Sequence, residues 1–137
     1  MRVVHVSKVV GIAGSEGHLL NLLPGLAHHN IDPYMIILAD PRIPVEAFCD
    51  ALAACGIAYE VQPLRGHIDL TLTNRLKERF ADLKPDLVHT HLIHADLYGL
   101  PAARQAGEWA CSDGQCQPQV WEPVSRATRE PGTRLPP

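Results

Sequence analysis

The chain has 137 residues, of which 46% are hydrophobic and 20% charged, and 12 basic against 15 acidic side chains leave a net charge of -3. That length accommodates one domain, and the composition excludes wholesale disorder, a collagen-like fibre and a bare coiled coil. Basic residues gather into no stripe, which excludes nucleic acid as a partner, and apolar runs stop well short of 18 residues with no signal-peptide pattern, which predicts a soluble, cytoplasmic protein.

Residues 1 to 107 alternate strand-like and helix-like segments. Arg2 to Val6 (RVVHV) is a β-branched run that predicts a first strand, and Leu19, Leu22, Leu23 and Leu26 repeat at helical spacing on a first helix that Ser15 caps. Pro24-Gly25 conflicts with that helix and predicts a kink or an offset start. Tyr34 to Ala39 (YMIILA) is a continuous apolar second strand. Pro44 to Cys55 is a second helix, with Pro at its first position and Gly56 just past its end.

Ile57 to Val61 (IAYEV) reads as a third strand. Asp69 then caps a third helix whose apolar stripe is Leu72, Leu76, Phe80 and Leu83, with Arg75, Lys77, Glu78, Arg79, Asp82 and Lys84 as its solvated face. Asp86 to His91 (DLVHTH) is a fourth strand, and His94 to Ala106 a small-residue helix closed by Gly107, with a second kink expected at Pro101. Four successive strand-helix units with short connections specify an α/β fold: a parallel-sheet, Rossmann-like domain of three layers.

Residues 108–137 differ in kind. They hold five of the 12 prolines and both tryptophans, with Val120, Val124 and Leu135 as their only large aliphatics. Such a segment buries too little apolar surface to offset ordering entropy, so a domain over residues 1–107 is expected to be followed by a disordered tail, as in a truncated reading frame. The spacings of Cys49, Cys55, Cys111 and Cys116 fit neither a redox pair nor a zinc knuckle, and reduced, structurally incidental thiols are expected.

Two clusters carry candidate chemistry. Gly11, Gly14 and Gly17 form G-x-x-G-x-x-G between the first strand and the first helix, enclosing Ser15 and Glu16. Glycines there let backbone N–H groups approach a phosphate at a helix N-terminus, although a plain strand-to-helix turn uses the same residues. Glu16 favours the helix dipole but repels phosphate, which points it at a sugar hydroxyl or a partner. His89, His91 and His94 lie at the carboxyl end of the fourth strand with Asp96 just beyond, where ligands settle in open α/β sheets. Binding, proton handling and a structural role all remain open for this trio. No acidic or thiol ligand at suitable spacing joins it, so no metal is expected. His5, His18, His28, His29 and His67 receive no role.

The stretches GIAGSEGHLLNLLPGLA (Gly11 to Ala27) and KPDLVHTHLIHADLYGLPAARQAG (Lys84 to Gly107) together resemble the amino-terminal, acceptor-side domain of family 4 glycosyltransferases. That family has the two-domain GT-B architecture and retains anomeric configuration. Its Gly-rich loop with a following Glu falls here on Gly11, Gly14 and Glu16, and its Pro-Asp-x-x-His-x-His segment on Pro85, Asp86, His89 and His91. The resemblance implies a retaining transferase that moves a sugar from a nucleotide-sugar donor to an acceptor, with no separate cofactor. In this domain Gly11, Gly14, Ser15, Glu16 and Gly17 would then meet the donor phosphate or substrate, and His89, His91, His94 and Asp96 the acceptor.

Members of the family normally continue into another strand bearing a His and then into a nucleotide-gripping domain. Here Gly107 is followed by EWACSDGQ. The expectation is therefore an incomplete half, inactive alone, that binds nucleotide-sugar weakly, dimerises or docks with a missing half, and meets a membrane peripherally if its acceptor is a lipid. Two alternatives stand: an NAD(P)-dependent reductase-like domain using Asp40 for a ribose, and a non-catalytic binding module.

Overall fold

The computed structural model describes residues 1–112. Nine elements alternate: β1 (Arg2–Lys8), α1 (Gly14–His28), β2 (Asp32–Ala39), α2 (Glu46–Ala54), β3 (Ala58–Pro63), α3 (Leu72–Leu83), β4 (Leu87–His91), α4 (Leu92–Ala106) and β5 (Ala110–Ser112). The five strands form one sheet in the order β3-β2-β1-β4-β5, with every pairing parallel. This is the α/β, Rossmann-like architecture that the alternation predicts.

Strands buried on both faces call for apolar residues at nearly every position, and β2 supplies them from Tyr34 to Ala39, whereas β1 is apolar at Val3, Val4 and Val6 and buries the polar His5 and Ser7. Val4, Val6, Ile36 and Leu38 face one layer with Leu72, Leu76 and Phe80 of α3 and Ala95, Ala102 and Ala103 of α4. Met35 and Ile37 face the other with Leu19 and Leu23 of α1 and Phe48 and Leu52 of α2. The stripes read from the sequence thus become the two cores of a three-layer domain.

Boundaries and caps differ in instructive ways. Helix α1 runs through Pro24 to His28, and α4 through Pro101 to Ala106, so each proline is accommodated within a continuous helix. Ser15 is not the cap of α1. Ala13 holds that position, and the Glu16 carboxylate turns back to accept from its N–H at 3.3 Å. Nor is the charged side of α3 simply solvated: Arg79 pairs with Glu60 of β3 at 2.9 Å, and Arg75 bonds Asp69, Gln62 and the Pro63 carbonyl.

The boundary expected at Gly107 falls inside the fold. Trp109 is buried, its carbonyl accepts the Val88 N–H at 2.8 Å, and Ala110, Cys111 and Ser112 pair with Val88, His89 and Thr90 as a fifth parallel strand. A three-residue edge strand carries too little pattern to be seen in a sequence. The remainder of the expected tail, residues 113–137, lies outside the described residues.

Helix α4 lies tight against the sheet at Gly99, where a Cβ would lie 2.7 Å from Thr90 Cγ2 and 3.9 Å from Val6. Thr90 is β-branched and its hydroxyl is tied to Asp96, so it has little freedom to retreat. We expect Gly99→Ala to destabilise the domain by about 1–3 kcal/mol despite the better helix propensity of alanine. Gly25→Ala, with no atom within 4 Å of the new Cβ, should stabilise it by about 0.5–1 kcal/mol. Urea unfolding of both variants checks the pair.

Asp69 organises the turn into α3. Burial pushes its carboxyl up, but the Thr71 hydroxyl, the backbone N–H groups of Arg65 and Thr71 and the Arg75 charge outweigh that and hold its pKa at about 2, below the ordinary 3.8. A lowered folded-state pKa stabilises the fold above pH 3.8, and this contribution is lost as pH falls towards 2. Asp69→Asn should therefore lower stability at neutral pH and flatten the acid limb of a pH-unfolding curve across that window.

Candidate functional site

Strand order reverses beside β1: the chain proceeds outward through β2 and β3, then returns to place β4 on the other side of β1. At such a point the connections leave in opposite directions and open a crevice beyond the carboxyl ends of the strands. The glycine loop follows β1 and the histidine segment closes β4, so the pairing of these two strands brings the two sequence clusters to one edge of the sheet.

In the loop, Gly11 has φ +139, a conformation that only glycine adopts readily. Gly14 and Gly17 lie in the first turns of α1 with ordinary φ, and no atom stands within 4 Å of a Cβ built on either. They leave the helix mouth open to close approach. Glu16 does not project outward as its sequence position suggests. It is 2% exposed and accepts from the Ser15 hydroxyl at 2.9 Å as well as from Ala13, placing a carboxylate on the amino end of its own helix.

The histidines assemble differently from the expected trio. In register, His5 of β1 is the partner of His89 and Ser7 the partner of His91, so the three imidazoles of His5, His89 and His91 share one face. Their ring centroids are 4.1 Å apart for His89 and His91 and 5.3 Å for each of these with His5. His5 Nδ1 and His91 Nε2 lie 3.0 Å apart, a hydrogen bond in which one ring donates and the other accepts. His5 and His91 are buried and His89 half-buried. His94 is exposed on the first turn of α4 and stands outside this group. His5 itself escaped the sequence reading. A lone His inside RVVHV gives no signal until its register with β4 is known.

Asp96 also parts from the histidines. Its carboxylate accepts from the Thr90 hydroxyl at 2.5 Å and from the Ser112 hydroxyl at 2.9 Å, and Thr90 points to the opposite face from His89 and His91. Asp96 thus joins α4 to β4 and β5. The motif residue Asp86 acts at the far end of β4, where its carboxylate accepts the Arg2 N–H at 2.7 Å and its own N–H donates to the Arg2 carbonyl at 2.8 Å. The junction at the near end is abrupt: His91 ends the strand and Leu92, with φ +69, begins the helix. Asp40, the candidate ribose ligand of the reductase alternative, is held by the backbone N–H, Nε and Nη2 of Arg42 at 2.7–3.0 Å.

No helix among the described residues is long and apolar enough to cross a membrane. Comparison with curated proteins gives no match. Solved structures share the fold. A lipopolysaccharide outer core galactosyltransferase in its apo form superposes with a TM-score of 0.63 at 16% identity, covering 82% of this chain and 32% of its own. A glycosyltransferase from Rickettsia africae gives 0.66 at 14% identity, with 81% and 28% covered. A UDP-GlcNAc 2-epimerase from Neisseria meningitidis, bound to UDP-GlcNAc, gives 0.60 at 20%, with 82% and 32% covered. The chain therefore spans about a third of the length of these relatives. Residues 12–111 match the family profile described as Glycosyltransferase Family 4, from within the glycine loop to the second residue of β5, and the chain belongs to that family.

Proposed function

We propose that this domain is the acceptor side of a retaining glycosyltransferase that moves a sugar from a nucleotide-sugar donor. The observation that carries the reading is the convergence of the glycine loop and the His89-His91 strand end at the β1/β4 reversal, within a family 4 chain. Gly11, Gly14, Ser15 and Gly17 offer a backbone mouth for the donor diphosphate. His89, His91 and the exposed His94 border the space for the acceptor.

Retaining transfer requires the donor to be gripped and its leaving diphosphate neutralised. The described residues supply one Rossmann-like half, so on this reading sugar transfer needs a nucleotide-gripping half, or a second copy, besides them. The proposal includes a cytoplasmic setting, in which Cys49 and Cys55, free thiols among the described residues, stay reduced. If the acceptor is a lipid, contact with the membrane is peripheral. The reductase alternative is weakened by the engagement of Asp40 with Arg42 and by the distance of Gly11 from the strand end at Lys8.

Glu16 sets the affinity. A helix N-terminus contributes roughly 0.3–1 kcal/mol to an anion, and here a carboxylate already lies on it. Binding of a nucleotide-sugar should accordingly be roughly millimolar or weaker. Glu16→Gln keeps an acceptor for the Ala13 N–H and removes the charge, so it should tighten diphosphate binding several-fold while costing the fold no more than the roughly 0.3–1 kcal/mol that the helix dipole gave the carboxylate. Phosphate titrations followed by amide NMR check this.

The same titration with nucleotide-sugars tests the function. Shifts confined to Gly11–Gly17 and His89–His94 are expected. Shifts at Gly11, Gly14 and Asp40 with a dinucleotide would instead favour the reductase, and transfer of radiolabelled sugar by the purified chain alone would refute its dependence on a second half.

A further inference from the structure

We propose that His5, His89 and His91 form a three-imidazole binding site for a divalent transition metal ion, with zinc as its natural occupant. The proposal shares His89 and His91 with the acceptor-side reading and adds His5, and its test reads metal binding rather than sugar binding or transfer, so either can fail without the other.

One ring nitrogen from each histidine lies within 4.8 Å of the other two. A tetrahedral zinc with Zn–N bonds of about 2.0–2.1 Å sets its ligands about 3.3–3.4 Å apart. His5 Nδ1 and His91 Nε2, at 3.0 Å, are already near that spacing, and the nitrogen of the half-buried His89, within 4.8 Å of both, has to approach by no more than about 1.5 Å as the rings turn toward a shared ion. The hydrogen now between His5 and His91 passes to the opposite nitrogen of its own ring when both facing nitrogens become ligands. Neutral rings thus lose no proton, while any protonated ring must, so affinity falls as pH drops.

The scaffold suits the task. Two ligands stand on β4 and one on β1, both interior strands of the sheet, so their backbones are fixed before any ion arrives. Among the described residues the group consists of imidazoles alone, a donor set that favours zinc, copper or nickel over calcium or magnesium. Three protein ligands leave a fourth position, which His89, the most exposed of the three, borders and which a water or an anionic oxygen can fill. The expectation of no metal counted His94 as the third histidine. His5 occupies that place instead.

The test uses the full chain stripped of metal with a chelator. Cobalt(II) should bind one ion per chain with the visible absorption of a tetrahedral site and no thiolate charge-transfer band, and zinc should displace it at micromolar concentration. On zinc addition, long-range imidazole NMR spectra should shift His5, His89 and His91 and leave His18, His28, His29 and His67 in place. His5→Gln and His91→Gln should weaken binding by about 100-fold or more, and His29→Gln not at all. Because substitution of a buried ring can unfold the chain, the imidazole spectra of the unsubstituted protein decide independently of the variants. Absence of tetrahedral cobalt absorption, millimolar zinc binding, or shifts at other histidines or at the cysteines would overturn the proposal.

Discussion

The parallel pairing of β1 with β4 is the constraint on which the rest of the molecule hangs. It joins Arg2 to Asp86 across 84 residues, and closing so long a loop costs entropy that local structure cannot return. What offsets that cost is burial: Val4, Val6 and Val88 are fully inaccessible, and α3 and α4 pack over them. The latch between Arg2 and Asp86 fixes the register at the end remote from the crevice. At the other end, the same register sets His5 beside His89 and Ser7 beside His91. Fold and candidate site are therefore two outcomes of a single alignment.

Regular elements were legible because their signal is local. The stripe Leu72, Leu76, Phe80 is helical in any context, and YMIILA is too short and too apolar for anything but a buried strand. What escaped was set by distant partners. Ala110–Ser112 become a strand because the outer edge of β4 lies open to them, and the buried Trp109 fixes their approach. Arg75 and Arg79 look like solvated charges until β3 arrives beside them. In the site, His89 and His91 were visible as a pair, whereas His5 was not. Asp96, five residues beyond His91, was grouped with the histidines by proximity in sequence although it serves the opposite face of the sheet.

A galactosyltransferase and an epimerase share this fold at 16–20% identity, which illustrates how little a Rossmann-like half decides about chemistry. The sheet supplies an edge and a crevice. Whatever selectivity the domain has must come from the groups at that edge, and these are chemically distinct in the two clusters: backbone amides over a buried carboxylate in the loop after β1, and the imidazoles of His5, His89 and His91 across the β1/β4 pair.

The junction between β4 and α4 has no connecting residues at all. Leu92 takes the whole change of direction in one left-handed φ, at a cost of about 1–2 kcal/mol for a residue with a side chain. A loop of several residues would absorb displacements of the helix before they reached the strand. A zero-length joint transmits them. A displacement of the first turn of α4 would bear directly on His91, whose ring is hydrogen-bonded to that of His5, with no intervening residue to take up the change.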